Sequence, residues 1–143
     1  MRKLTNDQRR AVCKKAQAFF QCYLFKKNPK LNQTVKVRVR FVKLEDAWGI
    51  CDNHNVGIKP REFTIYINRD LHHMNDIITT VAHEMVHVWQ YATGKFRDYI
   101  GPAHRYEDHV YDADMAYKDM PWEIEARILE KVLYKLWISN NNK

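Results

Sequence analysis

The sequence predicts a single α+β domain. Three segments carry apolar residues at helical spacing, and three shorter segments alternate apolar and polar residues as half-buried strands do. All three alternating segments lie between the first and the second helical segment. We therefore expect a short mixed three-stranded sheet packed against an N-terminal helix, a central helix and a C-terminal helix.

The first helix is predicted to begin at Thr5 or Asn6, either of which can cap it, and to end near Lys27. Asn28 and Pro29 follow, and a residue before proline disfavours the helical conformation. The apolar face of this helix contains Val12, Ala16, Phe19, Phe20 and Tyr23.

The three strands are predicted at residues 35–41, 48–51 and 63–67. The first alternates valines and Phe41 with Lys36, Arg38 and Arg40, and the third alternates Phe63, Ile65 and Ile67 with polar side chains.

The second helix is predicted from a cap at Asn75 or Asp76 to about Tyr91. Residues 93–120 are polar and aromatic without a clear period. Pro121, at a first helical turn, predicts a last helix that ends near Trp137. One domain thus spans residues 1–138, and residues 139–143 are expected to form a flexible polar tail.

Composition excludes several classes of protein. With 45% hydrophobic and 29% charged residues, the chain is too apolar to be disordered and too charged for a membrane protein. No apolar run approaches the roughly 18–20 residues of a spanning helix, and no secretory signal peptide is visible. Three cysteines without CxxC spacing indicate reduced thiols and a cytoplasmic location, and they argue against a cysteine zinc ribbon.

Positive charge is concentrated at the N-terminus. Residues 1–43 contain thirteen Lys and Arg and one acid, Asp7, whereas the rest of the chain is net acidic. A basic segment can bind nucleic acid weakly and without sequence preference, and Lys36, Arg38 and Arg40 share one face of a strand. The alternative is a solvated surface, since no nucleic-acid-binding module accompanies the charge.

The clearest chemical motif is HExxH, formed by His83, Glu84 and His87 in the second helix. Two histidines at i and i+4 lie on one helix face and can bind the same zinc ion, and the glutamate can act as general base toward water on that ion. At about 100° per residue the histidines lie opposite the apolar arc that contains Val81 and Met85. Two exposed histidines on a surface helix are the alternative.

A catalytic zinc ion needs a third protein ligand. The candidates are Glu125, Glu123, His104 and His109. We take the apolar face of the last helix to be Ile124, Ile128, Leu129, Val132, Leu133 and Leu136. Glu125 then projects near the middle of this face, where an isolated carboxylate would be costly unless paired or bound to a metal. A salt bridge to a Lys or Arg remains the alternative for Glu125, while Glu123 is expected to be solvated beside Arg127.

The motif HEMVHVWQ, followed by Tyr117 and by PWEIEA, resembles the small zinc metallopeptidases encoded by tailed bacteriophages, relatives of the SprT-like and gluzincin groups. The likeness covers about residues 35–130. It implies a minimal zincin-like fold, one zinc ion per chain and action in the host-cell cytoplasm. Gluzincins use a downstream glutamate, often followed by alanine, as third ligand, a pattern that matches Glu125 and Ala126. SprT-like proteases use a histidine followed by glycine, whereas His104 is followed by Arg105.

The sequence thus predicts a zinc metallopeptidase that hydrolyses a protein substrate, with His83, His87 and Glu125 as ligands and Glu84 as base. Tyr117 is the predicted second electrophile that stabilises the oxyanion, with His104 and His109 as competitors and ordinary packing as the alternative. A substrate segment could add to an edge of the sheet. The alternative functions are a DNA-associated protease that uses its basic segment, and a non-catalytic zinc-stabilised binding domain.

Overall fold

Four α-helices and six short strands form the part of the chain that a computed structural model describes, residues 3–54, 59–98, 103–112 and 114–141. The predicted α+β class is confirmed. None of the helices in these ranges is long and apolar enough to cross a bilayer. The helices are α1 (Asn6–Leu24), α2 (Pro29–Thr34), α3 (Met74–Ala92) and α4 (Pro121–Asn141), and the strands are β1 (Lys36–Val42), β2 (Gly49–Asn53), β3 (Glu62–Asn68), β4 (Phe96–Asp98), β5 (His104–Tyr106) and β6 (His109–Tyr111).

The first sheet contains the three predicted strands in the order β1-β3-β2. Strand β1 is parallel to β3, with Val37 opposite Phe63, and β2 is antiparallel to β3, with Cys51 opposite Ile65. The predicted mixed sheet is therefore confirmed. Strand β3 lies in the centre, and both β1 and β2 are edges.

Helix α3 lies at the centre of the domain, in contact with the sheet, α1 and α4. Ile77, Val81 and Met85 are completely buried, as are Ile65 and Ile67 of the central strand. Burial of each such side chain contributes about 1.5–3 kcal/mol. The helix that carries HExxH is thus held by the core on most of its surface.

Several element ends differ from the prediction. A capping box between Thr5 and Gln8 fixes the start of α1, which ends at Leu24 rather than near Lys27, and the short α2 follows it. Helix α3 begins at Met74, without a side-chain cap from His73. Helix α4 continues through residues 139–141, so this part of the predicted tail is helical, and residues 142–143 lie outside the described ranges.

A second sheet, in the order β4-β5-β6, occupies the segment for which no period was evident. Each strand has only three residues, which is too short to show an alternating pattern. The sheet packs Phe96 and Tyr106 against Trp122 at the start of α4, and all three side chains are buried. This small cluster anchors the first turn of α4.

The buried face of α4 matches the predicted one only in part. Leu133 is completely buried and Leu129 packs against the core, but Ile124, Ile128 and Val132 are exposed by 42%, 60% and 40%. The stripe that faces the core is Trp122, Ala126, Leu133 and Trp137, so Leu133 is the residue that it shares with the predicted face. Both stripes have helical spacing, and the anchoring of Trp122 by the second sheet selects the second one. This rotation turns Glu123 toward α3.

Candidate metal centre

His83 and His87 lie one turn apart on the face of α3 that α4 covers, and their ring centroids are 5.0 Å apart. Both side chains are largely buried. The placement follows from the amphipathic pattern of α3, because Val81 and Met85 take the opposite face into the core.

Glu123, in the first turn of α4, is the carboxylate next to both histidines. Its Oε1 lies 3.0 Å from Nε2 of His83, and its Oε2 lies 3.1 Å from Nε2 of His87. One ligand atom from each of the three residues lies within 4.8 Å of the others, which is the only such cluster found among the described residues. Glu123 is 5% exposed.

Glu125, the predicted third ligand, points elsewhere, so this placement was wrong. Its carboxylate forms an ion pair with Lys95 and accepts a hydrogen bond of 2.9 Å from Nε2 of Gln90. The physical reason is the rotation of α4, since residues two apart differ by about 200° around a helix. The salt bridge that the sequence analysis left open for Glu125 is the arrangement that forms, and Glu123 is buried rather than solvated beside Arg127.

The two other histidine candidates do not join the cluster. His104 lines a cavity that the three-residue cluster also lines. Its ring, however, packs against Phe96 and Trp122, and its Nδ1 lies 3.3 Å from Asp98. His109 is exposed on β6, beside the ring of Tyr111.

Tyr117 stands at the site, in the 3-10 turn before α4. Its hydroxyl donates a hydrogen bond of 2.8 Å to Oε1 of Glu123, although 63% of the residue is exposed. Burial of the hydroxyl end and the adjacent Glu123 carboxylate raise the pKa of Tyr117, so it remains a proton donor at neutral pH.

The second ring nitrogen of each histidine also has an acceptor. Nδ1 of His83 lies 2.8 Å from Oε1 of Glu130, and Nδ1 of His87 lies 2.8 Å from Oε1 of Gln90. Histidines that bind metal through Nε2 commonly donate Nδ1–H to such a partner, which fixes the ring. The sequence analysis missed both partners. The feature of the sequence that could have identified them is their spacing, because Glu130 lies two helical turns after Glu123 and Gln90 lies three residues after His87.

Glu84 is buried at the wall of the cavity, between α3 and β2. The strand approaches closely because Gly49 has no side chain, and a Cβ there would lie 2.6 Å from Cγ2 of Thr80 and 3.2 Å from Cγ of Glu84. Burial, partly offset by the two histidines, raises the pKa of the Glu84 carboxyl. A raised pKa suits a carboxylate that must accept a proton.

The charges of the site favour a bound cation. Burial alone would lower the pKa of His83, but hydrogen bonds to Glu123 and Glu130 outweigh it and raise this pKa to about 10. The pKa of His87 is raised in the same way by Glu123 and Glu84. Nearby carboxylates thus raise the pKa of both buried imidazoles, and a metal ion could take the place of a proton at the Nε2 atoms.

The cluster opens into a cavity of about 720 Å³. One wall is formed by residues 46–51, the last three of which belong to edge strand β2, and the other contains Tyr117, Trp122 and His104. None of the described residues that line it is Lys or Arg. The cavity thus gives a ligand access to an acidic site beside an unpaired strand edge.

The residues fit a zinc ion. Two imidazoles and one carboxylate are a donor set that catalytic zinc sites use, and they leave a fourth position for water or substrate. The fit is supported by the two engaged Nδ1 atoms, which leave both Nε2 atoms directed at Glu123. No protein-family model, no curated protein and no solved structure matches the chain.

Proposed function

We propose that the protein is a zinc-dependent metallopeptidase, with His83, His87 and Glu123 as the metal ligands. The observation that carries the proposal is the convergence of both Nε2 atoms on one buried carboxylate at the wall of an open cavity. Glu84, the glutamate of HExxH, lines the same cavity. A purely structural metal site would not need this fourth group, which disfavours the alternative of a non-catalytic binding domain.

A zinc ion held there would supply a Lewis acid for the scissile carbonyl and would acidify a nearby water molecule. The protein's own part is proton transfer and orientation. The Glu84 carboxylate would take the proton of the attacking water and deliver it to the leaving amine nitrogen. Glu130 and Gln90 would hold the two imidazole rings in place during the reaction.

Tyr117 is proposed to stabilise the oxyanion. Its hydroxyl lies at the rim of the cavity, and its exposed ring can turn from Glu123 toward a bound substrate. A hydrogen bond donated to the developing negative charge lowers the barrier for hydrolysis.

Strand β2 is the edge on which we place an extended substrate segment. Within the described part of the chain it pairs with β3 alone, and three of its residues line one wall of the cavity. An added strand would gain main-chain hydrogen bonds there and would pass Glu84. The exposed side chains of Trp48 and Ile50 on the same wall would contact apolar groups of the peptide.

The proposal is tested first by metal content. Purified protein should contain one zinc ion per chain by elemental analysis, and His87→Ala should lose it, because two donors bind zinc poorly. Zinc that binds only the folded state at 100 times its Kd adds about 2.7 kcal/mol of stability, so chelation should lower the melting temperature. Stoichiometric zinc in His87→Ala would refute the assignment of this site.

Reducing surroundings are the proposed setting for this activity. Cys13, Cys22 and Cys51 are all free thiols in the structure. Unpaired cysteines are typical of the cytosol, where thiols stay reduced. We accordingly propose the cytoplasm of the cell as the location.

Weak nucleic-acid binding is a second candidate function, and strand β1 carries the observation that favours it. Lys36, Arg38 and Arg40 are exposed on one face of this edge strand, and none of them forms an ion pair with any other described residue. Arg9, by contrast, is buried and bonded to the carbonyl oxygens of Arg69 and Leu71. Strand β1 thus presents three positive side chains together on one exposed face.

Replacement of Arg38 and Arg40 by Gln should weaken binding to a fluorescein-labelled DNA duplex in an anisotropy titration. Loss of two phosphate contacts should make the plot of log affinity against log salt less steep by about 1.8. The control removes the same charge from α1, by Lys14→Gln and Lys15→Gln. Equal weakening in both variants would show that net charge, and not the face of β1, attracts the DNA.

A further inference from the structure

Glu125 lies at one end of a chain of hydrogen bonds that leads to His87. Nζ of Lys95 contacts Oε2 of Glu125, and Oε1 of Glu125 accepts a hydrogen bond of 2.9 Å from Nε2 of Gln90. Oε1 of Gln90 in turn lies 2.8 Å from Nδ1 of His87. The chain joins the turn between α3 and β4, helix α4, and the face of α3 that carries the two histidines.

The direction of each hydrogen bond follows from the chemistry of the groups. The Glu125 carboxylate and the Trp122 carbonyl, 3.0 Å from Nε2 of Gln90, can only accept. The amide nitrogen of Gln90 must therefore face them, and its oxygen must face His87. Nδ1 of His87 then has to carry a proton, which leaves Nε2 as the atom with a free lone pair once it is deprotonated.

The burial of Gln90 permits only this orientation of its amide. Gln90 is 0% exposed, so water cannot replace a missing partner of the amide. An amide is nearly symmetric in shape, so only its partners distinguish the two orientations that it can adopt. In the reversed orientation its NH₂ group would face Nδ1 and would favour the tautomer in which Nε2 holds the proton.

Lys95 keeps the carboxylate of Glu125 in place. Gly94, at φ 79°, adopts the left-handed conformation that ends α3, and the next residue, Lys95, turns back toward α4. The ammonium group of Lys95 also lies 3.6 Å from Glu107, on the hairpin of the second sheet. The Lys95 end of the hydrogen-bond chain is thus anchored outside the metal cluster.

We propose that Glu125 is a positioning residue, which fixes the orientation of the Gln90 amide and thereby makes Nε2 of His87 available as a metal ligand. This inference rests on the proposed zinc site and adds a role for a residue that does not touch the metal. Loss of outer partners of zinc ligands typically costs 10–100-fold in affinity. Glu125→Ala should therefore weaken zinc binding by about tenfold, because the Trp122 carbonyl still holds one N–H of the amide.

The experiment measures zinc affinity by competition with a chromophoric chelator, together with the melting temperature of the metal-free protein. Glu107→Ala is the control, since it removes a partner of Lys95 without touching Gln90. The second variant, Glu125→Gln, keeps the volume of the side chain and an oxygen that can accept the hydrogen bond from Nε2 of Gln90. It should bind zinc more tightly than Glu125→Ala. In the zinc-loaded protein, the Nδ1–H proton of His87 should exchange with solvent faster in Glu125→Ala than in the wild type.

The outcomes separate this inference from the proposed function. A wild-type chain that binds no zinc would overturn both. Wild-type affinity in Glu125→Ala, or equal losses in Glu125→Ala and Glu107→Ala, would overturn the positioning role alone. Equal affinity of Glu125→Ala and Glu125→Gln would also overturn it, because an acceptor for the Gln90 amide would then not matter.

Discussion

Glu123→Ala is expected to abolish both zinc binding and peptide hydrolysis. Glu123 is the only carboxylate within reach of both Nε2 atoms among the described residues, so its removal leaves two protein donors. It also accepts a hydrogen bond from the hydroxyl of Tyr117, and this hydroxyl would lose its partner. Elemental analysis of the dialysed variant should find less than a tenth of the wild-type zinc, an order-of-magnitude expectation for loss of a ligand.

Glu125→Ala is the matched comparison, because it removes the same group two residues away. That variant should keep its zinc in a dialysis that lacks chelator, with only the weaker affinity expected of an outer partner. If Glu125→Ala lost its zinc and Glu123→Ala kept it, the orientation of α4 described above would be refuted. The zinc-binding role of His83 and His87 would survive that result.

Glu84→Gln should keep the zinc and lose the hydrolysis. Glutamine has the same shape, but its amide cannot accept the proton of the attacking water. Removal of a general base typically lowers the rate by about 10²–10⁴. Because Glu84 is outside the ligand cluster, the metal content and the melting temperature should stay close to those of the wild type.

A suitable assay digests a mixture of unstructured peptides and identifies the products by mass spectrometry. Glu62→Gln, a substitution on β3, controls for loss of a carboxylate outside the cavity. Products formed equally by the wild type and by Glu84→Gln would reject Glu84 as the base. Cleavage by neither protein, with zinc bound to both, would favour a non-catalytic zinc-binding domain.

Local patterns in the sequence were sufficient for the elements that carry strong periodicity. The three strands of the first sheet, their mixed arrangement and the helix of HExxH were all predicted, because alternation and helical spacing depend on residues close in the chain. The same pattern placed His83 and His87 on one face. The association of His83 with Glu130 depends on how α3 and α4 meet, which no spacing within one helix reveals.

The position of Glu125 was mispredicted for an identifiable reason, and Glu123, two residues earlier, is the glutamate that lies beside the two histidines. Helix α4 has two apolar stripes, and the one through Ile124 and Ile128 contains the larger aliphatic side chains. The choice between them is made by Trp122, which is fixed by Phe96 and Tyr106 of the second sheet. Strands of three residues give too little signal to predict that sheet, so the orientation of α4 could not follow from sequence.

The contact between Gly49 and α3 has a consequence for how a substrate enters. Strand β2 lies so close to Thr80 that a single additional carbon atom would not fit between them. Glu84, the proposed general base, and this wall of the cavity are thus packed rigidly against each other. Any widening needed to admit a bulky peptide must come from the opposite side of the cavity, where the 3-10 turn carries the exposed Tyr117. We expect entry and release to depend on the motion of that turn alone.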